Sequence, residues 1–489
     1  MTGESQGGGA GLLTTAGGTN GQGITFPDSI IAGRNVVVRA NNDGSADAIV
    51  LGGSVGALET INLRPGGVDA ATGAGVDRTG VPIVFMGGTN GFSISPAEAG
   101  KFFVAPTLVL GSNAHAADIS VLAPVTTSRN LTLHNGGGGN INLAAPVSVP
   151  QLGLVSGGNI TQSAGAAITA GTLLAQSLRG NVILADAGNN VSASTLGGSA
   201  AGRFEFVNSG PLRVGPVSVT GFDAAGNQPQ IVSATSMLAD TLFIRTLSGP
   251  LILDTSVGTA NGADLVAATT FQNAGGGSLG GAPWRVWADT WVGETRGGLA
   301  GSGPLPNYYH CAYLGLCTVS ITPNDNHFVY AQQPTVTVNI GSFARNVGVP
   351  DPTFTYTLSG LILGDTGAGI SGTMGSTATL QSPSGVYPVF GTFTSAEGYA
   401  VNVVPGTLTV GSFLPQPARF VDVLREEPTT YVYDRNMGQA PICLATGPLQ
   451  GDRAQQGNDV LAREWSRVRT RPNLTSCVDT ERNNGCADF

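Results

Sequence analysis

Six acidic residues are the side chains best suited to catalysis in the first three hundred positions. A polysaccharide lyase or hydrolase would need two of them paired, or one beside an arginine or lysine base, in one cleft. Their separations along the chain follow no single spacing, so no pair is expected on adjacent repeats. They are Asp186, Glu205, Asp223, Asp240, Asp254 and Asp264. The sequence therefore predicts a protein that is not an enzyme. A carbohydrate-active enzyme is the alternative, and acids aligned with an arginine in one cleft would favour it.

Metal and cofactor chemistry also finds little support among the histidines and cysteines. The four histidines, at positions 115, 134, 310 and 327, are isolated, and no cysteine lies in a CxxC or zinc-type spacing. No cofactor or metal is expected. The five cysteines form two close pairs, Cys311 with Cys317 and Cys477 with Cys486, and leave Cys443 undecided. In an exported protein these pairs predict local disulfides. Five free buried thiols are the alternative.

The composition limits the class of protein. Gly accounts for 74 of 489 residues, charged residues are 11%, and the net charge is −9 with Lys101 as the only lysine. Such a chain offers no basic stripe for nucleic acid. It has no apolar run of about 18 residues, so no transmembrane segment is expected. Residues 1–23 are predicted to be a flexible Gly-rich start without signal-peptide features. We therefore expect the chain to begin inside a longer protein.

A repeat of about twenty residues organises residues 24–300. Glycine-rich turns lead into Asn140, Asn159 and Asn181, each followed by an aliphatic residue, at spacings of 19 and 22 residues. Short strands repeated at this period predict a right-handed parallel β-helix, in which stacked coils bury one another's apolar faces. Stacked Asn side chains would hydrogen-bond from coil to coil. A Gly-rich sandwich or barrel is the alternative, and the absence of hairpin turns argues against it.

A cluster of aromatic residues interrupts the repeat. It consists of Trp284, Trp287, Trp291, Tyr308 and Tyr309. An open β-helix end exposes unpaired backbone, so these residues predict a cap, with residues 301–320 as a disulfide-containing cap or linker. The alternative role for the cluster is an aromatic sugar-binding shelf.

The remaining chain divides into a strand-rich segment and a tail. Residues 321–412 alternate apolar and polar positions between turns at about ten-residue intervals, which predicts a small Ig-like β-sandwich. Residues 413–489 predict a mostly irregular tail with one helix near 458–471. The fold class is therefore all-β.

The β-helical segment resembles the filamentous-haemagglutinin-like exoproteins of two-partner secretion. The matching stretches are residues 92–98, 108–112, 118–121, 157–168, 284–288, 297–299 and 308–317. The sandwich resembles the bacterial Ig-like module called MBG, through residues 344–361, 364–365, 385–389, 398–401 and 405–410. In some of these adhesins a terminal cysteine pair, resembled here by Cys477 and Cys486, forms a loop held by the outer-membrane transporter. An ordinary stabilising disulfide is the alternative. The family's N-terminal secretion domain is not found in the sequence.

The resemblance implies a secreted or surface-anchored adhesin or biofilm-matrix fibre at the bacterial outer-membrane surface. Its expected partners are the two-partner secretion transporter and an extracellular polysaccharide, or a glycan or protein on a host or bacterial surface. A basic strip on the tail helix is either a solvated face or a docking site for the transporter; it consists of Arg463, Arg467, Arg469 and Arg471. A contact-dependent toxin is disfavoured because the tail is short and poor in catalytic residues.

Overall fold

The protein is seen in a computed structural model. The structure describes residues 34–40, 53–68, 75–88, 90–191, 195–281 and 283–411, together with the backbone of five short strands before residue 52. The described chain is all-β, as predicted, and contains one helix. The predicted tail helix, the basic strip, Cys443 and the Cys477–Cys486 pair lie outside the described residues.

The strands are numbered in chain order. The first group is β1 (Thr2–Ser5), β2 (Gly11–Thr14), β3 (Ile24–Phe26), β4 (Ile30–Ile31), β5 (Asn35–Ala40), β6 (Ile49–Leu51), β7 (Val55–Gly56), β8 (Thr60–Val68), β9 (Gly75–Asp77), β10 (Ile83–Phe85) and β11 (Phe92–Ile94), followed by helix α1 (Pro96–Phe102). The second group is β12 (Thr107–Ser112), β13 (Ile119–Val121), β14 (Val125–Thr126), β15 (Asn130–Asn135), β16 (Ile141–Leu143), β17 (Val147–Ser156), β18 (Ile160–Gln162), β19 (Ile168–Ser177), β20 (Val182–Leu184), β21 (Leu196–Ala200), β22 (Arg203–Asn208) and β23 (Leu212–Val214).

The third group is β24 (Val217–Asp223), β25 (Gln228–Ala234), β26 (Met237–Ala239), β27 (Thr241–Thr246), β28 (Leu251–Leu253), β29 (Val257–Thr259), β30 (Ala263–Val266), β31 (Phe271–Gln272), β32 (Leu279–Gly280), β33 (Trp284–Ala288), β34 (Asn307–Tyr308) and β35 (His327–Tyr330). The last group is β36 (Thr335–Ile340), β37 (Ser342–Asn346), β38 (Tyr356–Ser359), β39 (Ile370–Ser376), β40 (Gly385–Ser395), β41 (Ala400–Val404) and β42 (Gly406–Gly411).

Two long sheets, of 17 and 12 strands, run through the first 330 residues. In the 17-stranded first sheet, in-register parallel pairs link Leu108, Leu131, Leu152 and Leu173, one from each successive coil. In the 12-stranded second sheet, Ile119, Ile141, Ile160, Val182 and Phe204 stack in the same way. All nine of these side chains are fully buried. The predicted parallel β-helix is thus confirmed, because each coil covers the apolar side of its neighbour.

A ladder of polar side chains runs up one corner of the β-helix. The Asp118 carboxylate accepts from the Asn140 backbone N–H at 2.8 Å, and the Asn140 side-chain oxygen accepts from the Asn159 N–H at 2.9 Å. The Asn159 oxygen accepts from the Asn181 N–H at 2.8 Å, and that of Asn181 from the Arg203 N–H at 2.7 Å. The asparagines at the repeat spacing therefore join each coil to the next, as the sequence predicts.

The single described helix was not predicted from the sequence, which indicated short strands and turns over residues 24–300. Helix α1 begins with a capping box: the Ser95 backbone N–H donates to the Glu98 carboxylate at 2.8 Å, and the Glu98 N–H donates back to the Ser95 hydroxyl. Pro96 occupies the first turn, where its missing N–H costs nothing. The Ser-Pro-x-Glu pattern was the sequence signal for this helix.

A β-hairpin formed by β24 and β25 corrects a prediction, because hairpin turns were expected to be absent. It lies between Phe204 and Leu242, register partners that are 38 residues apart instead of about twenty. The hairpin packs on the outer face of the first sheet, where Val219 joins the buried Val155 and Leu174. Two glycines, one on the first sheet and one on the hairpin, allow the two layers to approach closely here. A Cβ at Gly153 would lie 2.9 Å from Val219, and one at Gly221 would lie 2.8 Å from the His134 ring.

The far end of the hairpin reaches the early coils of the β-helix. Phe222 is fully buried against Val37 and Val109. Its backbone N–H donates to His134 Nδ1 at 3.0 Å. Burial lowers the pKa of His134 to about 4, so this imidazole is neutral and can accept at physiological pH.

Two buried arginines share partners beneath the hairpin turn. The Arg39 and Arg64 guanidiniums contact the Asp77 carboxylate at 2.6 and 2.8 Å. Both also donate to the side-chain oxygen of Asn227 in the hairpin, at 3.0 and 2.6 Å. Burial lowers the pKa of Arg64 to about 10. The hairpin therefore adds an amide acceptor to this buried charged group.

Residues beyond 330 form two smaller sheets. The strand orders are β38-β36-β41 and β37-β42-β40-β39. Val336 and Val338 on β36, Val389 on β40 and Leu408 on β42 are buried. The chain divides into two compact units, of which the first comprises residues 1–345, 350–381 and 386–409. Of the second unit, the structure describes only residues 346–349, 382–385 and 410–411.

The hairpin's contribution to stability is testable at its buried end. Replacing Phe222 with Ala leaves a cavity against Val37 and Val109 and exposes the hairpin turn, at a cost of about 3–5 kcal/mol. We expect the free energy of local opening, measured by hydrogen exchange of the hairpin amides, to fall by this amount.

The matched control on the same hairpin is Ile231→Ala, since Ile231 is 72% exposed. Its opening free energy should stay within about 0.5 kcal/mol of the wild type. Equal protection of the hairpin amides in both variants would show that Phe222 does not anchor the hairpin.

Candidate binding face beside the disulfide loop

The outward side of the second sheet carries a row of polar and aromatic residues in register. Glu205 pairs with Phe243, Phe243 with Asp264, and Asp264 with Arg285, along strands β22, β27, β30 and β33. Adjacent strands lie about 4.8 Å apart, so the row spans three spacings, about 14 Å. Each member is at least partly exposed to solvent, whereas its neighbours in the strand point into the core.

A second row lies two residues further along the same strands. It contains Val207, Arg245, Val266 and Trp287 in register. Arg245 and Trp287 are partly exposed. The two rows together place arginines, acids and aromatic rings on one flat face of the β-helix.

The predicted Cys311–Cys317 disulfide is present and closes a short loop beside this face. The loop carries Tyr313, whose ring centroid lies 5.9 Å from that of Phe243 and 5.3 Å from that of Trp287. The contact with Trp287 is edge-to-face. The loop therefore adds a third aromatic ring above two that belong to the sheet.

Arginine side chains pack against these rings. The Arg245 guanidinium carbon lies 5.4 Å from the Tyr313 ring centroid, and that of Arg203 lies 5.8 Å from the Phe243 ring centroid. Both distances fall within the range of cation–π attraction. Burial and the nearby Asp264 carboxylate raise the pKa of Tyr313, so its phenol stays protonated at neutral pH.

Two of the six candidate acids line one groove on this face. The groove has a volume of about 350 Å³. Among its lining residues are Arg203, Glu205, Phe243, Asp264, Arg285 and Tyr313. Glu205 and Asp264 are two strands apart, with Phe243 between them. Arg203 contacts the Glu205 carboxylate at 2.9 Å, and the Trp287 indole N–H donates to Asp264 at 3.0 Å.

A smaller groove of about 160 Å³ lies on the other side of Tyr313. Among its lining residues are Arg245, Leu247, Trp287, Asp289, Ala312 and Tyr313. Tyr313 thus separates two adjoining depressions on the same face.

The other four acids do not line these grooves. Asp223 lies on the hairpin and accepts from Asn113, and Asp254 pairs with Arg213. Asp186 accepts from the Gly165 N–H, and Asp240 from the Asn261 side chain.

None of the four histidines lines either groove. Burial lowers the pKa of His115 to about 4, as it does for His134, and both stay neutral. His327 Nε2 lies 2.8 Å from the Thr322 hydroxyl. Within the described ranges, no group of three or more His, Cys, Asp or Glu side chains is placed to hold a metal ion.

Most of the aromatic residues predicted to form the cap are buried in the last coils. Trp284 packs edge-to-face on Phe328 at 5.3 Å. Trp291 packs in the same way on Tyr309 at 5.6 Å and on Tyr330 at 5.8 Å. The second sheet continues past residue 300, since β35 pairs with β33 and β34 pairs with β35.

Trp287 differs from the rest of the cluster because it faces the grooves. Tyr308 is buried against His327, with ring centroids 4.9 Å apart. The capping role of the cluster stays a prediction. The alternative role, an aromatic sugar-binding shelf, applies to Trp287. Phe243 and Tyr313 lie beside Trp287 on the same face, and the sequence did not single them out. The signal for Phe243 was the recurrence of outward Phe243, Asp264 and Arg285 at 21-residue steps.

A buried carboxylate joins the last coil to the following sheets. Asp365 accepts from the Tyr309 and Tyr399 hydroxyls, both at 2.7 Å, and from the Asn307 side chain at 2.6 Å. Burial first, and the hydrogen bond to Asp365 next, raise the pKa of both tyrosines. Both phenols therefore stay protonated at neutral pH and donate hydrogen bonds to Asp365.

Glu397 lies beside this junction and is 1% exposed. Its backbone carbonyl accepts from the Tyr309 N–H at 2.7 Å, and its carboxylate accepts from the Gly369 N–H at 3.2 Å. Burial, and secondarily the charge of Asp365, raise the pKa of Glu397 to about 7. Its proton is thus held more tightly in the folded chain than in the unfolded chain.

A family model, "MBG domain (YGX type)", matches residues 335–409. An MBG domain of the bacterial Ig-like class therefore occupies these residues, which lie inside the predicted 321–412 segment. It indicates a surface or adhesin-like bacterial protein. No curated protein and no solved structure matches the chain. Among the described residues, no helix is long and apolar enough to cross a membrane.

The raised pKa of Glu397 predicts a pH dependence of stability. Protonated Glu397 favours the folded state, so its contribution is complete below its ordinary pKa of 4.5 and is lost as the pH rises through about 7. We expect Glu397→Gln, which mimics the protonated form, to be more stable than the wild type at pH 8 and similar to it at pH 4.5.

Urea unfolding of the full chain, followed by tyrosine and tryptophan fluorescence, measures this difference. Asp289→Asn is the control, because it removes an exposed carboxylate. A wild-type-minus-variant difference that does not change between pH 4.5 and 8 would contradict the assigned protonation.

Proposed function

We propose that this chain is part of a surface-displayed bacterial adhesin or biofilm-matrix fibre of the filamentous-haemagglutinin-like kind, exported by a two-partner secretion transporter. The observation that carries the proposal is the run of stacked parallel coils followed by the MBG domain. Stacked coils give a stiff support, because successive strands are hydrogen-bonded and the core is continuous.

The binding face supports an adhesive function. It repeats outward polar and aromatic positions from coil to coil, which suits an extended polymer held by many weak contacts. The expected partners are an extracellular polysaccharide, or a glycan or protein on a host or bacterial surface.

The tail carries the proposed connection to the transporter. Cys477 and Cys486 would form the terminal loop, and the basic strip would dock to an acidic periplasmic surface. Replacing all four arginines of the strip with Gln and measuring the fraction of protein retained on cells would separate docking from a merely solvated face. Unchanged retention would exclude the docking role.

The adhesive function is testable by display. We expect non-aggregating Gram-negative cells that display the full chain to attach to a biofilm matrix at least about tenfold more than cells displaying an unrelated β-helix, since multivalent contacts multiply weak affinities. Attached cells are counted after washing at matched display levels.

Display levels are set by antibody labelling of an added epitope. Equal attachment by the two cell types would refute the adhesive function. Loss of attachment after the soluble chain is added in excess would support it.

A second candidate is a carbohydrate-active enzyme, a lyase or hydrolase. The specific observation in its favour is that Glu205 and Asp264 line one groove with Arg203 and Arg285. General acid–base cleavage of a glycosidic bond uses such pairs of carboxyl groups. The ion pair of Glu205 and the indole hydrogen bond of Asp264 give both acids a structural partner as well.

Product release distinguishes this candidate from simple binding. If the protein is an enzyme, incubation with polysaccharides should yield new reducing ends or unsaturated products. Glu205→Gln and Asp264→Asn should each lower that rate at least about a hundredfold, as expected for loss of general acid–base catalysis. Retention of the rate in both variants, or no products from the wild type, would exclude this role for the groove.

A further inference from the structure

We propose that the groove beneath Tyr313 is a binding site for a neutral oligosaccharide segment. This inference rests on the proposed adhesive function and assigns its contact site and ligand class. The site comprises the sheet residues Glu205, Phe243, Asp264 and Arg285 with Tyr313 of the disulfide loop.

Aromatic rings supply the apolar part of such a site. Phe243 and Tyr313 are tilted by 39° to each other at a centroid distance of 5.9 Å, and both line the groove. The C–H face of a pyranose ring packs well on aromatic rings, and pockets for small ligands combine such surfaces with a few placed polar groups.

The polar residues match the hydroxyl groups of a sugar. The Glu205 and Asp264 carboxylates are acceptors with lone pairs beyond those used by Arg203 and Trp287. Arg203 and Arg285 are donors, and Arg285 already donates to the Thr322 and Pro323 carbonyls, which fixes its position. The groove therefore offers both donors and acceptors to a ligand.

The charge balance selects a neutral ligand. Among the charged residues that line the groove, the two acids offset Arg203 and Arg285. An acidic polysaccharide would bring its carboxylates close to Glu205 and Asp264, and a cationic one would meet the arginines. A hydroxyl-rich neutral segment avoids like-charge repulsion from both the acids and the arginines.

The direction and length of the row suit a chain ligand. The residues lie on four successive strands and span about 14 Å, so an oligosaccharide would run along the stack of coils, across the strands. A single monosaccharide would fill only part of this length.

The Cys311–Cys317 disulfide positions the aromatic wall. It closes the loop that carries Tyr313, and a loop held in place loses less conformational entropy on binding than a free one. Opening the bond should therefore weaken binding without altering any groove residue. Cys311→Ser with Cys317→Ser tests this effect separately from the removal of the ring.

The test measures affinity of the full chain, produced in oxidising conditions, for hexasaccharides of glucose, mannose, galactose and xylose by calorimetry. We expect at least one of them to bind, and Tyr313→Ala to weaken it at least about tenfold through loss of the stacking ring. Tyr313→Phe should stay within about threefold, and the double serine variant should lie between the two.

The matched control is Leu316→Ala in the same loop, since Leu316 is 66% exposed and does not line either groove. It should bind like the wild type, and circular dichroism should show an intact β-helix in every variant. The proposal is overturned if no neutral hexasaccharide binds at millimolar concentration, or if Tyr313→Ala binds as well as the wild type. Salt-sensitive binding of alginate alone would overturn it as well.

Cell attachment separates the failure of this site from the failure of the adhesive function. If displayed wild-type and Tyr313→Ala cells attach equally, and both attach well above cells displaying the unrelated β-helix, the adhesive function stands and the assigned site is wrong. If the purified chain binds a hexasaccharide through Tyr313 but displayed cells do not attach, the site stands and the adhesive function is wrong.

Discussion

In-register stacking of coils is the constraint on which the rest of this molecule depends. One coil of about twenty residues has an apolar side that it cannot cover, and strands whose backbone groups it cannot pair. The next coil does both, as the buried column of Leu108, Leu131, Leu152 and Leu173 shows. The same register lines up Asn140, Asn159 and Asn181, whose side chains pair with the backbone of the following coil. Apolar burial and polar pairing are therefore satisfied by one geometric repeat.

A regular stack also leaves flat outer faces, and the chain uses these faces in two different ways. On the first sheet, an inserted hairpin covers the outward residues of several coils and brings Asn227 to a buried pair of arginines. On the second sheet, the outward rows stay partly exposed, and a disulfide loop places Tyr313 over them. The first face is thereby part of the core, whereas the second remains accessible to a ligand.

The proposed adhesive function follows from this division between support and surface. The stacked buried columns of the two long sheets are apolar, and the MBG domain at 335–409 continues the chain from the last coils through the Asp365 junction. The sheet residues of the groove are far apart in sequence, yet Glu205, Phe243, Asp264 and Arg285 stand at equivalent register positions of successive strands. Their spacing is consequently set by the distance between strands, which makes an extended polymer a suitable ligand.

The sequence by itself determined the all-β class, the parallel β-helix and the Cys311–Cys317 bond, because repeat spacing, alternation and close cysteine pairing are local patterns. The MBG domain was recognised through its resemblance to known MBG modules. Only the tertiary structure decided that Glu205, Asp264 and Tyr313 share a groove and that Trp284 is buried while Trp287 faces outward. The physical reason is that coils differ in length: register partners are 19 residues apart at Ile141 and Ile160, 38 where the hairpin is inserted, and 47 between Thr60 and Thr107. Which residues lie side by side on adjacent strands therefore depends on the lengths of all the coils between them, and no local pattern specifies those lengths.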